Sequence, residues 1–146
     1  MKIIIGRTDK ADFPELSLEE IDVKIDSGAY TSSIHCSNIK EFTENNESLI
    51  KFTLLDPEHS FYNHKEFRSK NYTSKIVKSS NGISEKRFMI QTEIVIFNTT
   101  FPIHFTLSER TDMKFPVLLG RKFLNKKFVI DTAKKNLSNK LKQNTK

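Results

Sequence analysis

Ile21, Val23 and Ile25 alternate with polar neighbours and run straight into Asp26-Ser27-Gly28-Ala29. Strict alternation marks a half-buried strand, one face on a core and one in solvent. This strand ends on a carboxylate, and the next residues carry almost no bulk. Gly28 lets the backbone turn and lets another group approach closely. The Ser27 hydroxyl and the Gly28 N–H are suited to hydrogen-bond a carboxylate and fix its orientation. An oriented carboxylate on a rigid strand suits acid–base chemistry. Taken alone, Asp-Ser-Gly also reads as an ordinary β-turn, since these residues fill turns generally.

The remainder of the chain reads as short strands and turns. Ile3-Ile4-Ile5 is an apolar strand closed by Gly6, and Phe13-Pro14-Glu15-Leu16 leads through Leu18 to the Asp26 strand. Strand continues over 33–36. Glu44-Asn45-Asn46-Glu47 is predicted to turn between strands at 39–42 and 49–55, and Asp56-Pro57-Glu58 to break the second. His59, Phe61, Tyr62 and His64 form a polar-aromatic connection. Runs at 75–78 and 87–90 flank Asn81-Gly82, a short hairpin signal. A second hairpin is expected around Asn98-Thr99-Thr100, between 92–97 and 101–107. A loop over 108–114 leads into Leu118-Leu119-Gly120-Arg121, and a last strand is expected at 128–131. The pattern is all-β.

At 146 residues and 36% hydrophobic content, the chain has enough apolar surface for one core. Twelve phenylalanines and no tryptophan predict a Phe-rich interior. The net charge is +6, but residues 133–146 hold five lysines and no acid, so the balance before them is only +1. A nucleic-acid surface would carry its charge on the folded body, interleaved with aromatics. The expectation is therefore a domain over 1–132, a flexible lysine-rich tail over 133–146, and no nucleic-acid partner. A lone cysteine, Cys36, gives no intramolecular disulfide framework. The first apolar run is too short for a signal peptide or a membrane span. A cytoplasmic protein with no membrane partner is expected.

Lys24-Ile25-Asp26-Ser27-Gly28-Ala29-Tyr30-Thr31-Ser32-Ser33-Ile34-His35 resembles the active-site loop of retropepsin-like aspartic peptidases. It is most similar to a cellular branch often found beside RimK-type ATP-grasp ligases and labelled ATP-dependent zinc protease. Leu118-Leu119-Gly120-Arg121 with Phe123-Leu124 resembles the stretch that closes the active-site lobe in that family. The resemblance implies a closed β-barrel lobe with a hairpin flap and one short C-terminal helix. It implies Asp26, Ser27 and Gly28 as catalytic residues and Leu118, Leu119, Gly120 and Arg121 as support behind them. Ala29 and Tyr30 would meet a peptide or protein substrate, as would Asn81, Gly82 and Ile83 on the flap. A functional link to a RimK-type ligase is also implied. The chain departs from the pattern in three places. Ser27 replaces the usual threonine. The flap lacks a Gly-rich tip. Tyr30 and Thr31 stand where an acidic residue usually pairs with the arginine of the Gly-Arg turn, so Arg121 needs another partner.

Aspartic peptidase chemistry needs two carboxylates sharing a proton and a water. The chain has one Asp-Ser-Gly; Asp131-Thr132-Ala133 has alanine where glycine is needed. The second Asp26 is therefore expected from a second copy across a two-fold axis, as a homodimer. The histidines, His35, His59, His64 and His104, lack zinc-site spacing, and no phosphate-binding loop with its lysine is present. No metal or other cofactor is expected. A zinc-dependent protease and a catalytically silent peptide-binding module of the same fold are the alternatives. Cys36 is expected to be a buried packing residue.

Overall fold

The computed structural model describes residues 1–55, 57, 59–78, 81–109 and 114–144. In chain order its strands are β1 (Ile3–Ile5), β2 (Thr8–Phe13), β3 (Leu18–Ile25), β4 (Ser32–Glu44), β5 (Glu47–Leu54) and β6 (Glu66–Ser69). There follow β7 (Tyr72–Lys78), β8 (Ser84–Ile96), β9 (Thr99–Ser108), β10 (Val117–Leu119), helix α1 (Arg121–Leu124), β11 (Phe128–Ile130) and helix α2 (Leu137–Asn144). No described helix is long and apolar enough to cross a membrane.

Alternating side chains close the main sheet. Asp9, Ala11 and Phe13 on β2 are buried, as are Leu18, Ile21, Val23 and Ile25 on β3 and Ile103, Phe105 and Leu107 on β9. The hydrogen-bonded order runs β10-β3-β2-β8-β9-β4, and β10 pairs again with β4, so these strands close into a barrel. Closure removes the open edges that an isolated sheet would expose. Phenylalanine fills the interior as expected. Phe13 meets Phe105 edge-on at 5.4 Å, and Phe123 lies against Phe128 at 5.5 Å. β5 and β6 extend the sheet beyond the barrel.

The first predicted turn is a tight one, with Asn45 and Asn46 at φ 52° and 64°. Positive φ at both central residues matches the right-handed twist of the strands. The hairpin between β8 and β9 turns earlier than predicted, at Phe97-Asn98, with φ 53° and 56°. Thr99 and Thr100 already belong to β9, where Thr99 pairs with Ile96. β2 and β6 had no clear sequence signal. Asp56 and Glu58 of the expected strand break, Ser79 and Ser80 of the expected flap turn, and 110–113 of the expected loop lie outside the described residues.

The lysine-rich segment differs from the frayed tail expected of it. Residues 137–144 form α2, docked on β2. The reason is a buried carboxylate. Asp9 is 1% exposed, and it accepts the Ser138 N–H at 2.8 Å, the Asn139 N–H at 3.1 Å and the Lys10 N–H at 2.8 Å. The Phe97 N–H donates to the Ser138 hydroxyl at 2.7 Å, and Lys142 reaches Asp12 at 3.0 Å. A carboxylate at the first turn of a helix satisfies its free N–H groups and complements its dipole.

Cys36 is fully buried on β4. Burial, with Glu109 nearby, pushes its thiol up to about 12 from 9.0. The folded thiol therefore stays protonated while the unfolded one ionises, so this group's contribution to stability is full below pH 9 and is lost as pH rises toward 12. Iodoacetamide at pH 8.5 is expected to leave Cys36 unmodified in native protein and to alkylate it in urea, read by intact mass. Rapid native alkylation would contradict the burial.

Candidate active site

The Asp26 loop is held from behind by its own chain. β3 runs between β2 and β10, with Val23, Lys24 and Ile25 in register with Val117, Leu118 and Leu119. The Asp26 N–H donates to the Leu119 carbonyl at 2.9 Å, so the residue leaves the barrel at a fixed point. Its carboxylate accepts the Gly28 N–H at 3.1 Å, and the Ala29 N–H donates to the Asp26 carbonyl at 3.2 Å. Asp26 is half-buried, and Ser27 and Gly28 are exposed. Leu119 is buried behind the loop, while Leu118 is half-buried between β3 and β4.

Gly28 turns the chain without a left-handed backbone. A Cβ here would sit 3.4 Å from Asp26 Oδ1, in ordinary contact. Gly120 answers to closeness of chains. A Cβ there would lie 2.6 Å from the Tyr30 carbonyl oxygen and 2.9 Å from that of Thr31, and no flexible side chain is present to yield. Its N–H donates to the buried Ser32 hydroxyl at 3.0 Å. Sequence reading missed Ser32; the available signal was a small hydroxyl residue at an inward position two before Ile34.

α1 then clasps the loop. The N–H groups of Arg121 and Lys122 donate to the Ala29 and Tyr30 carbonyls at 2.9 and 2.8 Å. Arg121 also has the partner that the sequence left open. Its guanidinium donates to the Ser27 carbonyl at 2.9 Å and lies 5.8 Å from the centre of the Tyr30 ring. A carbonyl and an aromatic face replace the missing acidic side chain. Ser27 thus bonds through its carbonyl. Tyr30, at 56% exposed, presents its other surface to solvent. Arg121→Ala is expected to cost about 1 kcal/mol, a fall in Tm of about 2–4 °C. Thermal unfolding checks this, and an unchanged Tm would show that the clasp holds nothing.

Asn81, Gly82 and Ile83 stand apart from this cluster, on the connection between β7 and β8, strands that pair from Tyr72–Ile90 to Lys78–Ser84. All three are exposed, Gly82 has φ 85°, and the bond described there is local, Ile83 N–H to Asn81 Oδ1 at 3.4 Å. Ile83 and Ile76 project apolar side chains, 65% and 72% exposed. Asp131, the rejected second candidate, caps its own turn by accepting the Ala133 N–H at 3.0 Å, beside β1 and β11. Among the described residues, no three His, Cys, Asp or Glu side chains come together as a metal site. The zinc of the family label has no matching donor set there.

Residues 4–141 match the family described as retropepsin-like aspartic endopeptidase RimB. The chain belongs to the RimB-like family. Three curated relatives are each named probable alpha-L-glutamate ligase. Those of Shewanella pealeana and Desulfotalea psychrophila are 36% identical over 90% of this chain, and that of Parasynechococcus marenigrum is 33% identical over 89%. The RimB-like chain covers only 28–29% of their lengths. A solved protein of unknown function from Legionella pneumophila has the same fold. Its TM-score is 0.70 at 22% identity, over 94% of this chain and 99% of that one.

Proposed function

We propose that the chain is an aspartic endopeptidase whose active site forms when two copies bring their Asp26 carboxylates together. The Asp26 loop carries this proposal: an oriented, half-buried carboxylate next to exposed Ser27 and Gly28, with no second carboxylate bonded to it among the described residues. In the dimer one carboxylate takes a proton from water as the water oxygen attacks the scissile carbonyl carbon. The other, protonated, gives its proton to the carbonyl oxygen. The tetrahedral adduct then collapses, the C–N bond breaks, and the amine leaves with a proton from the pair. The hairpin of β7 and β8 would cover the bound peptide with Ile76 and Ile83, two apolar side chains exposed in the isolated chain.

The relatives' name supports a finer reading. A domain matching this one shares a polypeptide with whatever makes those proteins probable glutamate ligases. Joining two activities raises the local concentration of one activity's product at the other's site. We therefore propose a functional partnership with an ATP-grasp glutamate ligase, in the cytoplasm, and a substrate carrying added glutamate residues. A metal-free mechanism is part of the proposal.

The test is cleavage of a fluorogenic glutamate-bearing peptide against chain concentration, with association followed by sedimentation. Activity per chain should rise with concentration and follow the dimer fraction. Efficient cleavage by a monomer would overturn the shared site. Peptide binding without any cleavage would favour the silent binding module, for which the exposed apolar hairpin is the supporting observation.

A further inference from the structure

Cavities on the described surface differ in sign. One of about 660 Å³ is lined by Asp12 and Glu19, and one of about 500 Å³ by Glu15 and Glu93. The third, about 220 Å³, borders the clasp of the Asp26 loop. Lys122, Lys127 and His104 line it together with Gln91, Ser32 and Phe123, and no carboxylate does. Its volume suits one amino-acid side chain better than a larger ligand.

Lys122 is held through its backbone and Lys127 through its ammonium. Lys122 follows Arg121 on α1, and its N–H is bonded to the Tyr30 carbonyl at 2.8 Å. The Lys127 ammonium donates to the Phe123 carbonyl at 2.8 Å and lies 4.9 Å from the Phe123 ring centre. That single bond leaves two of its three protons free for a ligand. Among the described residues, neither lysine is paired with a carboxylate. Two lysines with no carboxylate partner among the described residues line one cavity beside an imidazole and an amide, a lining suited to an anion. The body of the protein has little other excess charge to explain them, since the net balance over 1–132 is near neutral.

We propose that this cavity binds the carboxylate side chain of an acidic peptide. It rests on the substrate reading above for the identity of the peptide, but not on catalysis. The wall is shared with the catalytic loop through Ser32, whose hydroxyl accepts the Gly120 N–H. A peptide anchored here is therefore anchored to the segment that holds Asp26.

The experiment uses full-length Asp26→Asn protein, so that binding is read without turnover, titrated with pentaglutamate and with pentaglutamine. Pentaglutamate should bind at least about tenfold more tightly, as expected for charge-assisted bonds in a part-enclosed site. It should shift the amide resonances of Gln91, His104 and Lys122. Lys122→Gln and Lys127→Gln should each weaken it about tenfold, and Lys127→Arg, which keeps the charge if the Phe123 bond is disturbed, should retain binding. Lys140→Gln, on the surface of α2, should change nothing. Equal affinity for the two peptides would overturn the proposal, as would equal weakening by Lys140→Gln and Lys122→Gln. Lysine-dependent binding with no cleavage by the wild type would defeat the peptidase reading alone. Cleavage of glutamate peptides with binding indifferent to both lysines would defeat the cavity alone.

Discussion

Asp26→Asn should abolish peptide cleavage, by at least about 10³-fold, with fold and association intact. The amide is nearly isosteric and still accepts the Gly28 N–H through its oxygen. It cannot take a proton from water. In a dimer the change removes both carboxylates at once, so no single-copy rescue exists. Mixing wild-type and Asp26→Asn chains should lower activity below the wild-type share, because mixed dimers carry one carboxylate. Two carboxylates sharing a proton titrate as a unit, so the wild-type profile should be bell-shaped and peak on the acidic side of neutral. Cleavage across pH, with sedimentation as the control, measures all of this. Full activity in the variant would exclude the aspartic mechanism.

Asp9→Ala should be the most damaging single change away from the active site. Three N–H groups lose their acceptor, and two of them open α2. Stranding buried donors that had a charged partner costs about 3–5 kcal/mol, or about 10 °C in Tm. Asp9→Asn keeps an oxygen and loses the charge, so about half that cost is expected. Hydrogen exchange should place the first loss of protection in α2 and β2. A variant with unchanged Tm and a protected α2 would show that the helix docks without its cap.

Local pattern and short motifs made the barrel and the loop legible. Alternation at Ile21, Val23 and Ile25 is a direct imprint of a half-buried strand, and Gly120 is written wherever two backbones must touch. What stayed hidden depends on partners far away in sequence. Asp9 looks like one more polar residue in Thr8-Asp9-Lys10, and its burial depends on a helix 129 residues later. The lysine content of that helix argued for solvent, whereas its fate was set by one buried acceptor. Arg121 was expected to need a partner other than an acid, and that partner, the backbone carbonyl of Ser27, leaves no mark in residue types. Asn81-Gly82 could be located on the β7–β8 connection, but alternation and turn chemistry are local and say nothing of its relation to Asp26.

The seam between β1 and β11 has a consequence for how the protein is made. Ile3 bonds Lys127, Ile5 bonds Asp131, Arg7 bonds Lys134 and Thr8 bonds Asn136, all through the backbone. Gly6 is so tightly crossed there that a Cβ would run into the Lys134 carbonyl. A ribosome adding about 5–20 residues per second needs on the order of ten seconds to get from one side of this seam to the other. Throughout that interval β1 has no strand partner, and Asp9, though β2 can already pair with β3, waits for the amides of α2 that will bury it. Pairing of β1 with β11 thus comes late in the making of this domain, and the open strand is what a chaperone would meet on the nascent chain.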